Sequence, residues 1–192
     1  MPDGAQMAMA GATARMQAAT DARHRAVEAL PPLARLTAPD LTLADYADTL
    51  ERLARHHARH ETAVLGRLAE ALPPEALSAR RHLPALARDL ADLGRAMDDV
   101  EPAAGIATVA EAAGWLYVHE GATLGGLVLR RAIVRSLPGA PLRHLGGYGR
   151  DTAPMWAETR RLISRCCPGD DDIDAGVAGA CAAFDALAAE MS

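Results

Sequence analysis

The first residues with the means to do chemistry are a histidine and a glutamate four apart. In AATDARHRAVE, residues 18–28, His24 sits on the edge of an apolar stripe formed by Met16, Thr20, Val27 and Leu30. Glu28 lies one turn further along the same face. A neutral imidazole ligates iron through one ring nitrogen, and its other N–H then needs an acceptor that fixes tautomer and orientation. Glu28 is placed to be that acceptor, directly or through water. The plainer alternative is a histidine tolerated at the margin of a core, and the spacing alone favours that alternative.

A second feature is a run of glycines where helices avoid them. The stretch AAGWLYVHEGATLGGLVLRRAI carries Gly121, Gly125 and Gly126 inside an otherwise helical pattern. Each interior glycine costs a helix roughly 1 kcal/mol relative to alanine. Gly121 and Gly125 share a face, which would let a flat group approach the backbone or let the helix bend. Close packing of a second helix over the glycines explains them equally well. A planar cofactor held between the imidazole and the bare backbone would use both features.

The elements that must position these residues are helices. Half of the 192 residues are apolar, only six are aromatic with Phe184 the one phenylalanine, and β-branched residues are sparse. Nothing alternates with period two. Helices are predicted from about Thr13 to Leu30, stopped by Pro31-Pro32, and from Thr42, capped by Thr42 or Asp40, to Pro73-Pro74. Others follow from Pro74 with a restart at Pro84, from Ile106 to Leu137, around Trp156, and after CCPGDDD to Glu190. The expectation is one all-α, single-domain helical bundle over residues 12–192, with residues 1–11 disordered.

Composition excludes several classes. The net charge of −5 comes without a basic tail or a run of like charge, which argues against nucleic acid. The start lacks the basic and apolar pattern of a signal peptide, and no apolar stretch reaches spanning length. Cys166, Cys167 and Cys181 form neither a disulfide framework nor a C-x-x-C motif, so a reducing, cytoplasmic location is expected. A di-iron carboxylate bundle needs Glu-x-x-His pairs, and the chain has none. HHARHE suggests zinc through His56, His60 and Glu61, but Arg52, Arg55 and Arg59 crowd it, so a solvated helix face is expected there.

Four segments, in order, resemble the heme oxygenases. MQAATDARHRAVE is similar to the first-helix signature of that family, and LYVHEGATLGG to the distal-helix signature of its bacterial members. GGYGRDTAPMW and LADYADTLERLARHHARHE resemble the bacteriophytochrome-associated branch. The resemblance implies a heme oxygenase-type helical fold, with His24 as proximal iron ligand and Glu28 as its hydrogen-bond partner. It implies that Gly121, Gly125 and Gly126 lie over the heme and leave room for dioxygen. Tyr117, one turn before Gly121, would sit near the heme edge, and Arg160 and Arg161 would hold the propionates.

Heme would be both cofactor and substrate. The implied reaction opens the ring at a meso carbon to biliverdin, carbon monoxide and ferrous iron, with dioxygen as co-substrate and an external donor of ferredoxin or reductase type. A bacteriophytochrome would be the bilin acceptor. The chain departs from the pattern in three places. Gln17 replaces the basic residue of the first motif and Met16 its leading Leu, so one propionate contact is either missing or taken over by Arg15 or Arg23. Ala122 stands where some members carry a distal aspartate. His119 replaces an aliphatic residue, and would either face away from the heme or be a second ligand. A heme or tetrapyrrole carrier or sensor of the same fold is the alternative, and a helical interaction module with His24 merely packed is the third reading.

Overall fold

The computed structural model describes the backbone of residues 4–97 and 99–192 and the side chains from residue 11 onward, Asp98 excepted. Eight helices account for it: α1 (Gly4–Glu28), α2 (Pro31–Arg35), α3 (Leu43–Leu68), α4 (Pro74–Ser78), α5 (Leu83–Asp92), α6 (Val109–Ser136), α7 (Thr152–Cys166) and α8 (Asp170–Met191). A 3-10 turn, Gly149–Asp151, leads into α7, and no strand occurs among the described residues. The all-α reading therefore holds. α1 begins at Gly4, ahead of the Thr13 start that the periodicity suggested. Of residues 1–11, set aside as disordered, the first three lie outside the described residues.

Proline sets several boundaries. Pro31-Pro32 does more than stop a helix: with Leu30 extended, the prolines occupy the first positions of α2. A missing N–H and a fixed φ cost nothing in a first turn. Pro74 opens α4 and Pro84 lies in the first turn of α5 for the same reason. Thr42, one of the two expected caps, starts α3: its hydroxyl accepts from the Asp45 N–H at 3.1 Å, and Asp45 accepts from the Thr42 N–H at 3.1 Å. Such a box is worth about 1 kcal/mol. Thr108 caps α6 by accepting from the Glu111 N–H at 3.0 Å.

α6 is the central helix, packed along α8, with α7 and α3 on its flanks, and α1 lies against α8 and α7. The α6–α8 crossing is close because neither helix has a side chain there. A Cβ on Gly114 would collide with the Gly176 carbonyl, and one on Gly179 with the Glu111 carbonyl. One apolar core joins α1, α6, α7 and α8 through Met16, Ala113, Leu116, Ile163 and Ala180; a second joins α3, α5 and the end of α6 through Tyr46, Leu50, Leu86, Leu90 and Ile133. Fully burying a side chain such as Met16 or Ile163 contributes about 1.5–3 kcal/mol. The last turn of α8 is pinned to α3: Arg52 donates to the Glu190 carbonyl at 2.8 Å and Arg59 to its carboxylate at 2.7 Å.

Candidate functional site: a cleft between α1 and α6

One large cleft, of about 900 Å³, opens between α1 and the second half of α6. That is near the top of the range of about 300–1,000 Å³ common for cofactor sites. His24, Glu28 and Val27 form the α1 wall. Gly121, Gly125 and Gly126, with Leu124 and Val128, form the α6 wall. Tyr117, Trp156 and Arg160 also face it, as do Phe184 from α8 and His144 from the loop before α7. The sequence-predicted site residues thus converge, with one exception. Arg161 is exposed and does not line the cleft, because it is one residue out of phase with Arg160 on α7.

On the α1 wall, His24 Nε2 lies 3.4 Å from Glu28 Oε1, and the two side chains are 54% and 63% exposed. The imidazole is therefore not a packed core histidine. Its ring meets Phe184 edge-on, with centroids 5.7 Å apart, which steers it without enclosing it. Met16 is wholly buried, whereas Gln17 lines the cleft. Arg15 is paired with Asp170 and Asp174, and Arg23 donates to Asp185 at 2.8 Å. Neither arginine lines the cleft, so neither replaces a basic residue at position 17.

On the α6 wall, the glycines divide the work. A Cβ on Gly125 would meet nothing within 4 Å, so that backbone is bare toward the cleft. A Cβ on Gly121 would meet the Trp156 ring at 3.8 Å, and one on Gly126 would press on the Leu145 carbonyl at 3.3 Å. Gly147 has φ +49°, and a Cβ there would press on Thr152 and Thr123, so glycine shapes the loop that delivers His144 and Leu145. Tyr117 packs against Trp156 with ring centroids 5.8 Å apart. Burial raises the Tyr117 pKa, partly offset by its hydrogen bond with Thr20.

Behind α6, away from the α1 wall, lies an arrangement the sequence reading did not anticipate. His56, His57 and Glu61 are buried, not solvated as HHARHE suggested. The arginines of that stretch turn outward to α8, which frees the opposite face of α3 for the interior. His119 is buried as well, with its Nε2 3.1 Å from His56 Nε2, and it does not line the cleft. The choice left open for His119 is settled: it faces away from the cleft.

Next to these rings Glu120 is a buried hub. It accepts from Arg80 at 2.9 Å and from the Tyr148 hydroxyl at 2.9 Å, and its Oε1 lies 3.0 Å from His82 Nε2. Burial pushes its carboxyl up, but His82, Arg80 and Tyr148 outweigh burial and hold it below the usual carboxylate range. Burial lowers the pKa of His56 and His144 to about 3, and drives His57 and His119 well below the ordinary value, with their neighbouring imidazoles adding to the effect. Among the described residues no three His, Cys, Asp or Glu side chains are arranged to hold a metal ion.

The chain superimposes on solved heme oxygenases along nearly its whole length. With the enzyme from Neisseria meningitidis, solved with nitric oxide and carbon monoxide bound, the TM-score is 0.76 at 21% identity, over 94% of this chain and 89% of that one. With the heme oxygenase from Leptospira interrogans it is 0.74 at 18% identity, over 94% and 98%. The chain has the heme oxygenase fold. No family model matches the sequence, and no curated protein matches it. No helix among the described residues of this heme oxygenase fold is long and apolar enough to cross a membrane.

Sequence reasoning passed over Phe184, His144 and Trp156 as site residues. Phe184 carried a usable signal, as the one phenylalanine in an alanine-rich helix. His144 carried none, because its place depends on the path of a loop. The cysteines stay outside the chemistry: burial pushes the Cys166 thiol up to about 11 and Cys167 to about 12, so neither is a thiolate at neutral pH.

Proposed function

We propose that the cleft binds heme and that the protein is a heme oxygenase, opening the ring at a meso carbon to biliverdin, carbon monoxide and ferrous iron. The observation that carries this reading is the pairing of an exposed imidazole on one wall with the side-chain-free backbone of Gly125 on the other. A cradle that a side chain would fill and a nitrogen donor facing the same space fit a flat iron macrocycle. When bound, heme supplies the iron that activates dioxygen and the carbon that is attacked.

The chain's own residues do the rest. Glu28, whose Oε1 lies 3.4 Å from His24 Nε2, would accept from one ring nitrogen, leave the other for iron and hold the ring in one tautomer. Gly125 leaves room for a diatomic ligand, and Trp156 and Phe184 exclude water from the cleft margins. Arg160 offers a guanidinium to a propionate, whereas Arg161 does not reach the cleft. Tyr117 presents a hydroxyl that burial keeps protonated. Electrons come from an external donor of ferredoxin or reductase type in the cytoplasm. A bacteriophytochrome as bilin acceptor rests on the sequence resemblance.

One observation favours a carrier or sensor instead: Gln17 lines the cleft where a basic residue would anchor a propionate. Hemin titration separates the readings. A sharp Soret band, lost in His24→Ala while circular dichroism is unchanged, is expected. Reductant and air should then convert it to a bilin spectrum. A Soret band that persists under reduction in air leaves the carrier, and no band at all removes heme from the account.

A further inference from the structure

Six of the seven histidines gather in one body, and only His24 stands apart. Five of the six form a continuous line. His144 lines the cleft, with its ring centroid 5.8 Å from that of His57. The ring centroids of His57 and His119 are 4.7 Å apart. His119 and His56 share a hydrogen bond, Nε2 to Nε2, at 3.1 Å. His56 lies 5.2 Å from His60, which is half-buried on the outer edge of α3 against Trp115. The line therefore starts at the cleft and ends at the protein surface behind α6. In the other three steps no ring nitrogens hydrogen-bond directly, so each step would take one bridging water.

Packing alone does not account for this line. His56 Nδ1, His57 Nδ1 and His144 Nδ1 are enclosed and have no hydrogen-bond partner in the protein. The nearest carboxylate to His57 Nδ1 is Glu61 Oε2, 3.4 Å away, which also accepts from the His82 and Leu83 N–H groups. Each unpartnered buried polar atom is expensive, and apolar side chains of similar shape would avoid the cost. The charged groups facing the line are held by other partners. Glu120 is fixed by Arg80 and Tyr148, and Arg59 by Glu190.

We propose that His60, His56, His119, His57 and His144 conduct protons from the outer edge of α3 to the cleft. A neutral imidazole carries a donor on one nitrogen and an acceptor on the other. At each ring one N–H bond forms as the opposite one breaks, so the proton count of the ring is unchanged. The rings stay neutral between transfers because the interior disfavours imidazolium, which makes them a path and not a store. Resting on the function proposed above, the consumer is the reduction of dioxygen in the cleft, which takes up protons along with the electrons of the external donor.

The test needs no heme. In the apo protein labelled with 15N-histidine, the shared His56–His119 proton is expected to exchange with solvent through both ends. His60→Leu and His144→Leu should each slow that exchange, and the two together at least tenfold. Observing the shared-proton signal itself shows that the ring pair is intact in each variant. An unchanged exchange rate in the double variant overturns the path. In the hemin-loaded protein, His60→Leu is expected to slow heme conversion and raise its solvent deuterium effect, with hemin affinity unaltered. Fast, end-dependent exchange in a protein that binds no hemin supports the path and overturns the proposed function.

Discussion

Two His–Glu pairs lie on opposite sides of α6, and they have opposite lives. His24 and Glu28, 3.4 Å apart, are 54% and 63% exposed and face an open cleft. His82 and Glu120, 3.0 Å apart, are 10% and 1% exposed, and Glu120 also accepts from Arg80 and Tyr148. The same two side chains serve either as an unfinished coordination site or as a finished internal network. What separates them is the number of partners already in place. The buried pair cannot be cut without cost, whereas the open pair is inexpensive to alter and gains its value only when a ligand arrives.

The largest contrast is expected from acid. His56, His57, His119 and His144 all have folded pKa values below the ordinary imidazole value, with burial the leading cause. Between pH ~6.5 and the folded values, only the unfolded chain binds these protons, so stability is full above that window and falls as pH drops through it. Each ring contributes about 1.4 kcal/mol per pH unit, and four together rival the ~5–15 kcal/mol of a whole domain within two units. Urea unfolding at a series of pH values checks this. Replacing His56 and His119 together by leucine should roughly halve the slope between pH ~6.5 and ~5, as two of the four rings are removed.

Next in size is Glu120→Leu. It leaves Arg80, wholly buried, without its main counter-charge, and the expected loss is about 3–5 kcal/mol. Denaturant titration at pH 7 measures it, and a loss below 1 kcal/mol, the order of an exposed pair, would show that the network is dispensable.

Smaller again is the difference between two glycines of α6. Gly114→Ala forces a methyl against the Gly176 carbonyl at the α8 crossing and should cost about 1–3 kcal/mol. Gly125→Leu, facing open space, should leave stability unchanged or raise it by up to about 1 kcal/mol, the helix cost of the glycine it removes. It should nonetheless abolish heme conversion. Conversion at the parental rate in Gly125→Leu would show that this backbone is not the wall of the reactive space.

Helices and their ends were legible because caps, prolines and apolar periodicity act over a few residues. Thr42, Pro84 and the period of α6 each did so. His24, Glu28, Gly121 and Gly125 were legible for a related reason: their spacing within one helix fixes which face they share. Of the two explanations offered for Gly121, Gly125 and Gly126, close packing of a second helix falls on none of them, and Gly125 faces open space. Gly114, which the sequence reading did not single out, supplies the helix crossing, and Gly125 supplies the bare wall. The histidine line was invisible because its rings come from α3, α6 and a loop, up to 88 positions apart from His56 to His144. HHARHE misled because alternating His and Arg resembles a solvated face. The pairing of Arg52 and Arg59 with Glu190, which turns the histidines inward, exists only once α8 has docked.

Glu28→Gln carries the smallest expected effect on the fold and the sharpest on the comparison. The pair is exposed and four residues apart on one helix, so its contribution to stability is about 0.3–0.5 kcal/mol at most. Gln keeps the length of the side chain and an acceptor oxygen but loses the charge that strengthens the bond to His24. Hemin should therefore still bind, with the optical and electron-paramagnetic spectra of the ferric complex shifted because the ligating imidazole is less electron-rich. Spectra identical to the parent would mean that Glu28 does not touch the ligand ring in the loaded protein. The two His–Glu pairs would then share geometry by accident, and the open pair would reduce to a single functional residue, His24.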